Sequence, residues 1–181
     1  LVNYKVTPPH VVFEEVRKEA RRRGLRVTGS ELVGLIPREA LLMAGRYYLE
    51  QQGKSPGVPE AELVRVAVQS LGLAELGPFD PGKKIIECQV EDATGGRLAA
   101  MPVRAFADEL STESPAPGGG SVAALMGALA AGLAAMVANL TVGKKGHEGA
   151  WEEMRSVAVE AQELKDFFLA AVDRDTEAFN A

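Results

Sequence analysis

The hydrophobic and polar positions in the first half of the chain indicate both strands and helices. Residues 2–6 alternate between apolar and polar side chains, and residues 25–36 are apolar enough to form a second, mostly buried strand. Apolar residues at helical spacing predict helices over residues 9–23, 37–51 and 59–71. A strand–helix–strand order of this kind predicts a βαβ-type unit within an α/β layer.

A stretch rich in proline and glycine separates the two halves of the chain. Within it, residues 85–90 form a short apolar run that predicts a further strand, in which Cys88 is expected as a small buried side chain. We therefore predict an α/β unit over residues 1–90, a linker over residues 91–100 and an all-α helical-bundle unit over residues 101–181.

The pattern of the second half is purely helical, with helices predicted over residues 102–111, 121–141 and 152–180. The middle helix is unusual because no charged residue occurs from Ser114 to Gly143. Its large side chains share one face: Leu125, Met126, Leu129, Leu133, Met136, Val137 and Leu140. Its small residues share the other face: Ala123, Gly127, Ala130, Ala131, Ala134 and Ala138.

A helix that is apolar on all sides has to be buried on all sides. We interpret residues 121–141 as the central helix of a soluble bundle or of a dimer core, in which the small face lets another backbone approach closely. A membrane span is the alternative, because about 20 apolar residues are long enough to cross a bilayer. The modest hydrophobicity of an Ala- and Gly-rich segment without an aromatic belt argues against that alternative.

The last predicted helix has an acidic residue in line with its apolar seam. The seam consists of Met154, Val157, Ala161, Leu164, Phe168 and Ala171. Its 3,4 spacing next reaches Asp175, whereas Asp173 lies about 200° around the helix from Asp175. A buried charge costs free energy unless it is paired, and such positions are often functional. The alternative is that the seam ends earlier and that Asp175 contacts water.

The apolar helix starts in a glycine-rich loop made of Gly118, Gly119, Gly120 and Ser121. Consecutive glycines allow a close backbone approach, and the free amides of a helix N-terminus favour an anion. Beyond the far end of the helix lie Lys144 and Lys145, which balance the helix dipole or, alternatively, hold a carboxylate. The loop alone is a weak motif, because glycine-rich helix starts are common.

A basic cluster occupies the first predicted helix and the residues after it: Arg17, Lys18, Arg21, Arg22, Arg23 and Arg26. We interpret this cluster as a solvated helix face whose cations oppose the helix dipole, with an anion site as the alternative. His10, at the start of that helix, is interpreted as a surface residue without a chemical role. Glu31 is expected as a carboxylate at the edge of the second strand or, alternatively, as a site residue.

The overall charge and the cysteine content narrow the possible classes of protein. A net charge of −5 and a pI near 5.2 give no basic footprint for nucleic acid. One cysteine excludes an intramolecular disulfide framework and is typical of a reducing compartment. No secretory signal is recognisable, so we expect a cytoplasmic protein. The chain starts without methionine and ends within a helical pattern, and we expect it to be a piece of a longer protein.

Several strings in the chain resemble a known family. ELVGLIPREALLMAGRYYL (31–49) and LGL…GPFDPGKKIIE (71–87) resemble the end of the formiminotransferase domain. RAFADELSTESPAPGGGSVAALMGALAAGLAAMVANLTVGKK (104–145), followed by VDRDTEAFNA (172–181), resembles the start of formimidoyltetrahydrofolate cyclodeaminase. Both occur in this order in the bifunctional formiminotransferase-cyclodeaminases of histidine breakdown, and the resemblance covers nearly the whole chain.

The resemblance implies a fold and a reaction sequence. The first unit would be most of the second α/β subdomain of the transferase, and the second unit would be the start of an all-helical bundle that dimerises, with a folate site between subunits. The transferase would move a formimidoyl group from formimidoylglutamate to N5 of tetrahydrofolate. The cyclodeaminase would close that product to 5,10-methenyltetrahydrofolate and release ammonia.

The resemblance also implies roles for residues. Asp175 is the expected acid–base group, and Asp173 of the same acidic motif is a second expected catalytic residue with a smaller effect. Folate is expected to contact the residues from Gly118 to Ser121 together with Lys144 and Lys145. Folate, formimidoylglutamate and a second copy of the chain are the expected partners, with no metal, no nucleic acid and no membrane.

The same resemblance limits what this stretch can do alone. The family's catalytic histidine belongs to a subdomain that is absent, and His10 is not its equivalent, so we expect the piece by itself to be inactive. Two alternatives stay open: a methenyltetrahydrofolate cyclohydrolase-like enzyme of the same helical family, and a non-catalytic folate-binding or oligomerisation module.

Overall fold

The computed structural model describes residues 3–91 and 98–179 and divides the chain into two compact units, Leu1–Ala93 and Thr94–Ala181. The predicted linker over residues 91–100 lies mostly outside the described residues.

The first unit is built from helices. They are α1 (Pro9–Arg22), α2 (Arg38–Gln51), α3 (Glu60–Leu71), α4 (Pro81–Lys84) and α5 (Ile86–Glu91). The core lies between α2 and α3, where Leu41 and Ala67 are fully enclosed. A side chain at Gly45 would overlap the backbone of Leu63, so glycine lets these two helices pack closely.

The predicted α/β architecture of this unit is wrong, because its described residues contain no β-strand. Residues 25–36 are not a buried strand: Val33 is 87% exposed and Leu35 is 50% exposed. The one β-bridge in this described segment is at Ile36, which donates its N–H to the carbonyl of Lys84 and accepts from the N–H of Ile86 in an isolated parallel bridge. A strand needs a partner over several residues, and here the apolar faces of α2 and α3 bury each other instead.

The other two predicted strands are also absent. In residues 3–6 the chain turns, with the side chain of Asn3 accepting the N–H of Lys5. Residues 86–90 belong to α5, which is tied to α2 because the N–H of Arg38 donates to Glu87 at 2.7 Å. Cys88 is only partly buried beside this helix pair.

His10 is buried, which corrects its interpretation as a surface residue. Its ring stacks on Tyr47 at a centroid distance of 4.5 Å, and the neighbouring Tyr48 hydroxyl donates to Glu14 at 3.0 Å. Burial lowers the pKa of His10 below its ordinary value, although the carboxylate of Glu14 acts in the opposite direction. Burial also raises the pKa of Tyr48, and its hydrogen bond to Glu14 adds to that rise.

The second unit consists of α6 (Val103–Leu110), α7 (Gly119–Thr141), a short 3₁₀ turn (Glu148–Ala150) and α8 (Trp151–Phe179). Helices α7 and α8 form a long antiparallel hairpin, in which α7 turns small residues toward its partner. These buried residues are Ser121, Ala124, Ala128, Ala131, Ala135 and Ala138. Phe168 of α8 lies directly over Gly127, which leaves no room there for a larger residue.

The seam predicted for α8 is correct in part. Ala161 is buried and Phe168 packs on α7, but Leu164 is 46% exposed, and Val172 rather than Ala171 is the fully buried residue near the end. Val172 packs with Phe106 of α6 in a small separate core.

The large apolar face of α7 stays largely uncovered by α8. Met126, Leu129 and Leu133 are each at least 60% exposed, so the hairpin buries only the small side of this helix. Among the described residues α7 is also the one helix whose length and apolar composition would suffice for a membrane span, a test that core helices of soluble proteins pass too.

A candidate active site at the glycine-rich loop

The start of α7 needs a hydrogen-bond acceptor from elsewhere in the fold. The first amides of a helix have no partner within it, and the N-cap residue here, Gly118, has no side chain to accept from them. The carboxylate of Asp175 on α8 takes this part, because its Oδ2 accepts the N–H of Ser121 at 2.9 Å. A negative group at this position also interacts favourably with the helix dipole.

The structure distinguishes the three glycines of the loop. A side chain at Gly120 would overlap the carboxylate of Asp175, so this position has to be glycine for the carboxylate to lie where it does. A Cβ at Gly118 would come to 3.8 Å from Asp175 Oδ2, which is an ordinary contact. A Cβ at Gly119 would meet no atom within 4 Å.

Ser121 connects the two helices through its hydroxyl as well as its amide. The residue is fully buried, and its Oγ lies 2.9 Å from the carbonyl oxygen of Val172 and 3.2 Å from Asp175 Oδ2. A hydroxyl has one proton, so it donates to one of these oxygens at a time. Ser121 therefore fixes the position of Asp175 rather than projecting from the loop.

Asp175 itself stays accessible. Its residue surface is exposed in this chain, and no described residue donates a hydrogen bond to Oδ1. Oδ2 thus accepts from Ser121, while Oδ1 lies beside Gly120 and accepts from no described donor. Such a group is able to accept a proton and return it, and its charge stabilises a neighbouring cation.

Asp173 has a different set of partners. Its two oxygens accept the amides of Leu98, at 2.8 Å, and Ala99, at 3.3 Å. These bonds tie the segment before α6 to α8, so this carboxylate has a structural task.

The two predicted lysines lie far from this loop. Lys144 and Lys145 are exposed and follow the C-terminal end of α7, whereas the loop is at its N-terminal end. A helix rises 1.5 Å per residue, which places roughly 35 Å between the two ends. One copy of the chain therefore does not bring the lysines and the glycine-rich loop together.

Sequence reasoning missed the part that Ser121 plays. We expected the amide of Ser121 to bind an anionic ligand, but this amide already donates to the carboxylate of Asp175. A serine at the start of a helix that lacks a side-chain N-cap is compatible with such a positioning role. Its partner, Asp175, lies 54 residues away, so only the folded structure identifies it. Within residues 3–91 and 98–179 no group of three metal-ligating side chains comes together.

Comparison with known proteins matches each unit to a family. Residues 1–91 match the formiminotransferase domain, and residues 102–181 match the family described as formiminotransferase-cyclodeaminase. The two units therefore define a chain that joins a transferase-type unit to a cyclodeaminase-type unit. The chain belongs to the formiminotransferase-cyclodeaminase family.

Curated relatives agree with both matches. The formimidoyltransferase-cyclodeaminase of Dictyostelium discoideum is 43% identical over 182 residues, which is 99% of this chain and 34% of that protein. The Rattus norvegicus protein of the same name is 40% identical over all of this chain and 34% of its own length. The chain thus spans about a third of the length of these relatives. A methenyltetrahydrofolate cyclohydrolase of Methylorubrum extorquens is 37% identical over 79 residues, which is 44% of this chain and 38% of that protein.

Proposed function

We propose that this chain is part of an enzyme that transfers a formimidoyl group from formimidoylglutamate to tetrahydrofolate and then closes the product to 5,10-methenyltetrahydrofolate, releasing ammonia. The observation that carries the ring closure is the position of the Asp175 carboxylate. Its Oδ2 accepts the amide of Ser121, the group lies against Gly120, and no described residue donates a hydrogen bond to Oδ1. Similarity to formimidoyltransferase-cyclodeaminases over the whole chain supports the proposal.

Ring closure requires a proton to move between two nitrogens. N10 of the folate attacks the carbon of the protonated formimidoyl group that N5 carries, N5–CH=NH₂⁺, and a new C–N10 bond forms. The proton of N10 has to leave, the former imino nitrogen has to gain it, and the C–N bond to that nitrogen breaks as ammonia departs. The product is the methenyl cation between N5 and N10. A carboxylate beside these atoms is able to accept and return the proton and to stabilise the cation.

In this proposal Asp175 is the catalytic residue and Ser121 positions it. The Ser121 amide fixes Oδ2, so Oδ1 faces the reacting nitrogens without losing its orientation. Asp173 keeps the segment before α6 in place through Leu98 and Ala99 and does not touch the substrate.

We further propose that the folate site is completed by a second copy of the chain. The exposed large face of α7 is apolar enough to bury against an identical face, and a two-fold axis perpendicular to α7 makes the two helices antiparallel. In such a pair Lys144 and Lys145 of one copy lie beside the glycine-rich loop of the other. Their charges would then attract the carboxylates at the glutamyl end of folate.

A cyclohydrolase-like activity is the second candidate. The observation that favours it is the similarity over 79 residues to a methenyltetrahydrofolate cyclohydrolase. Such an enzyme would add water to the methenyl bridge and release no ammonia. Measuring ammonia from 5-formimidoyltetrahydrofolate and, separately, the loss of methenyl absorbance decides between the two.

The test is Asp175→Asn in the complete enzyme that contains this chain. The substitution preserves the shape and the acceptor for the Ser121 amide but removes the base, so ammonia release should fall by about 10²–10⁴-fold. Folate affinity and formimidoyl transfer should stay close to wild type.

Asp173→Asn is the matched control. It removes the same charge two residues away, where the carboxylate accepts backbone amides, so it should lower the melting temperature more than the rate. A larger loss of ammonia release with Asp173→Asn than with Asp175→Asn would contradict the assignment.

A further inference from the structure

We propose that the first unit contains an anion-binding site, distinct from the candidate active site at Asp175, and that it binds a dicarboxylate of the glutamate type. A surface cavity of about 490 Å³ lies between α1, the segment after it and the end of α3. Its lining consists of Phe13, Arg17, Arg21, Leu25, Arg26, Val27, Thr28 and Ser70. The anion site follows from these residues, whereas the choice of glutamate rests on the proposed function.

Ion pairs divide the basic cluster into two groups. Each acidic residue of α1 is already paired: Glu14 with Arg17, Glu15 with Lys18, and Glu19 with both Arg22 and Arg23. No described carboxylate lies within ion-pair distance of Arg21 or Arg26. Lys18, Arg22 and Arg23 are thus a solvated face paired with Glu15 and Glu19, and they are absent from the cavity lining, which Arg17 joins although it is paired with Glu14. The two arginines without an acidic partner both line it.

Local structure explains why Arg21 and Arg26 line the same cavity. Phe13, Arg17 and Arg21 follow one another at four-residue spacing, so they share one face of α1. The chain then turns back at Gly24, whose φ of +71° is easily adopted only by glycine, and this turn leads Arg26 back to the cavity.

The far side of the cavity is tied to α3. Ser30 donates its hydroxyl to the carbonyl of Leu71 at 2.7 Å and its amide to the carbonyl of Gly72 at 3.3 Å. Gly29 lies so close to Gly72 that neither position has room for a side chain. Thr28 and Ser70 therefore lie next to backbone contacts that join the segment after α1 to the end of α3.

The lining indicates the chemistry of the ligand. Two guanidinium groups without an acidic partner line this cavity, and an anion bound there gains charge-assisted hydrogen bonds from them. Thr28 and Ser70 add hydroxyl donors, and Phe13, Leu25 and Val27 offer an apolar wall. Two carboxylates separated by a short aliphatic chain satisfy both features. Formimidoylglutamate and the glutamyl end of folate both carry this group.

The test compares two double variants in the complete enzyme. Arg21→Gln with Arg26→Gln removes the guanidinium groups that lack an acidic partner, and Arg22→Gln with Arg23→Gln removes the same charge from the paired face of the same helix. The first variant should raise the KM of one glutamate-bearing substrate by about tenfold or more and leave kcat within about twofold. The second should leave both KM values within about twofold.

The two sources of the dicarboxylate are separated by which KM changes. A higher KM for formimidoylglutamate alone assigns the cavity to the formimidoyl donor, and a higher KM for tetrahydrofolate alone assigns it to the acceptor. Equal effects of the two double variants, or a loss of kcat without a change in either KM, overturn the proposal.

A direct binding measurement keeps this test independent of the proposed activity. Glutarate is the probe, with inorganic phosphate as the comparison, and calorimetry gives both affinities for each protein. Wild type should bind glutarate more tightly than phosphate, and Arg21→Gln with Arg26→Gln should weaken glutarate by about tenfold or more. If the wild-type enzyme catalyses neither folate reaction but shows these glutarate affinities, the proposed function is wrong and the anion site is supported. If wild type binds glutarate no better than the variant, the site is absent.

Discussion

Asp173 and Asp175 are two residues apart on α8 and contact different segments. The first accepts backbone amides from Leu98 and Ala99, and the second accepts the amide of Ser121 on α7. Side chains two residues apart on a helix point about 200° apart around its axis, so these two carboxylates contact different segments. At the residue scale, the candidate site thus depends on which of two similar carboxylates faces the glycine-rich loop.

His10 gives a prediction about acid stability. Its lowered pKa means that the folded unit prefers the neutral ring, so His10 favours folding above its unfolded pKa of about 6.5 and loses that contribution as the pH falls. His10→Phe keeps an aromatic ring on Tyr47 and cannot take a proton. We therefore expect the first unit to lose less of its free energy of unfolding between pH 7.5 and pH 5 in the variant than in wild type.

The chromophores of the chain make this measurement specific. All three tyrosines lie in the first unit, so tyrosine absorbance during urea unfolding follows that unit. His147→Phe, at an exposed position of the second unit, is the control and should leave the pH dependence of this transition unchanged. An identical pH dependence in His10→Phe and wild type would show that protonation of His10 does not limit stability.

At the element scale, the hairpin of α7 and α8 depends on small residues at close contacts. Gly127 accommodates the ring of Phe168, and Gly120 accommodates the carboxylate of Asp175. The alanines between them let the two backbones approach along most of α7. A helix interface of this kind gains dispersion contacts at short range and is sensitive to a single added methyl group.

Two neighbouring glycines test this dependence. Gly120→Ala should destabilise the second unit by about 1–3 kcal/mol, because the new methyl group displaces Asp175 from the Ser121 amide. Gly119→Ala meets open space and should be neutral or stabilise by up to about 1 kcal/mol. The single tryptophan, Trp151, belongs to the second unit, so its fluorescence during urea unfolding gives both values. Equal effects of the two substitutions would contradict the close contact.

At the scale of the whole molecule, the second unit leaves a large apolar surface open. Leu129 and Leu133 are about 60% exposed, and both line an apolar groove of about 520 Å³ between α7 and α8. Soluble monomers rarely expose contiguous apolar patches of this kind, which is why we propose that a second copy covers it. The small face of α7 is already occupied by α8, so the large face is the one available for association.

Self-association is therefore expected to depend on this face. Leu129→Lys with Leu133→Lys should convert the associated chain to a smaller species in sedimentation velocity, because a charge in an apolar interface is costly to bury. Val33→Lys with Leu35→Lys, at exposed apolar positions of the first unit, is the matched control and should leave the sedimentation unchanged. A wild-type chain that sediments as a monomer at high concentration would exclude this association.

The helix positions and the family could be predicted from the sequence, because both depend on residues that are neighbours along the chain. Helical spacing placed α2, α3 and α7 within two residues of their observed bounds, because the hydrophobic pattern of a helix repeats within a few residues. The motif strings were sufficient to identify the family, which the matches over both units confirm. Both outcomes depend on residues that are close together along the chain.

The tertiary structure decided whatever depends on distant residues. Apolar residues at 25–36 suit a strand, but a strand forms only where another segment offers a ladder of partners, and here Ile36 meets Ile85 alone. Three glycines looked equivalent until Asp175 approached one of them from 55 residues away. Likewise, six basic residues formed one cluster in the sequence, and their pairing along α1 with the turn at Gly24 separated a solvated face from a cavity. Each of these outcomes depends on a contact whose partner the local pattern does not specify.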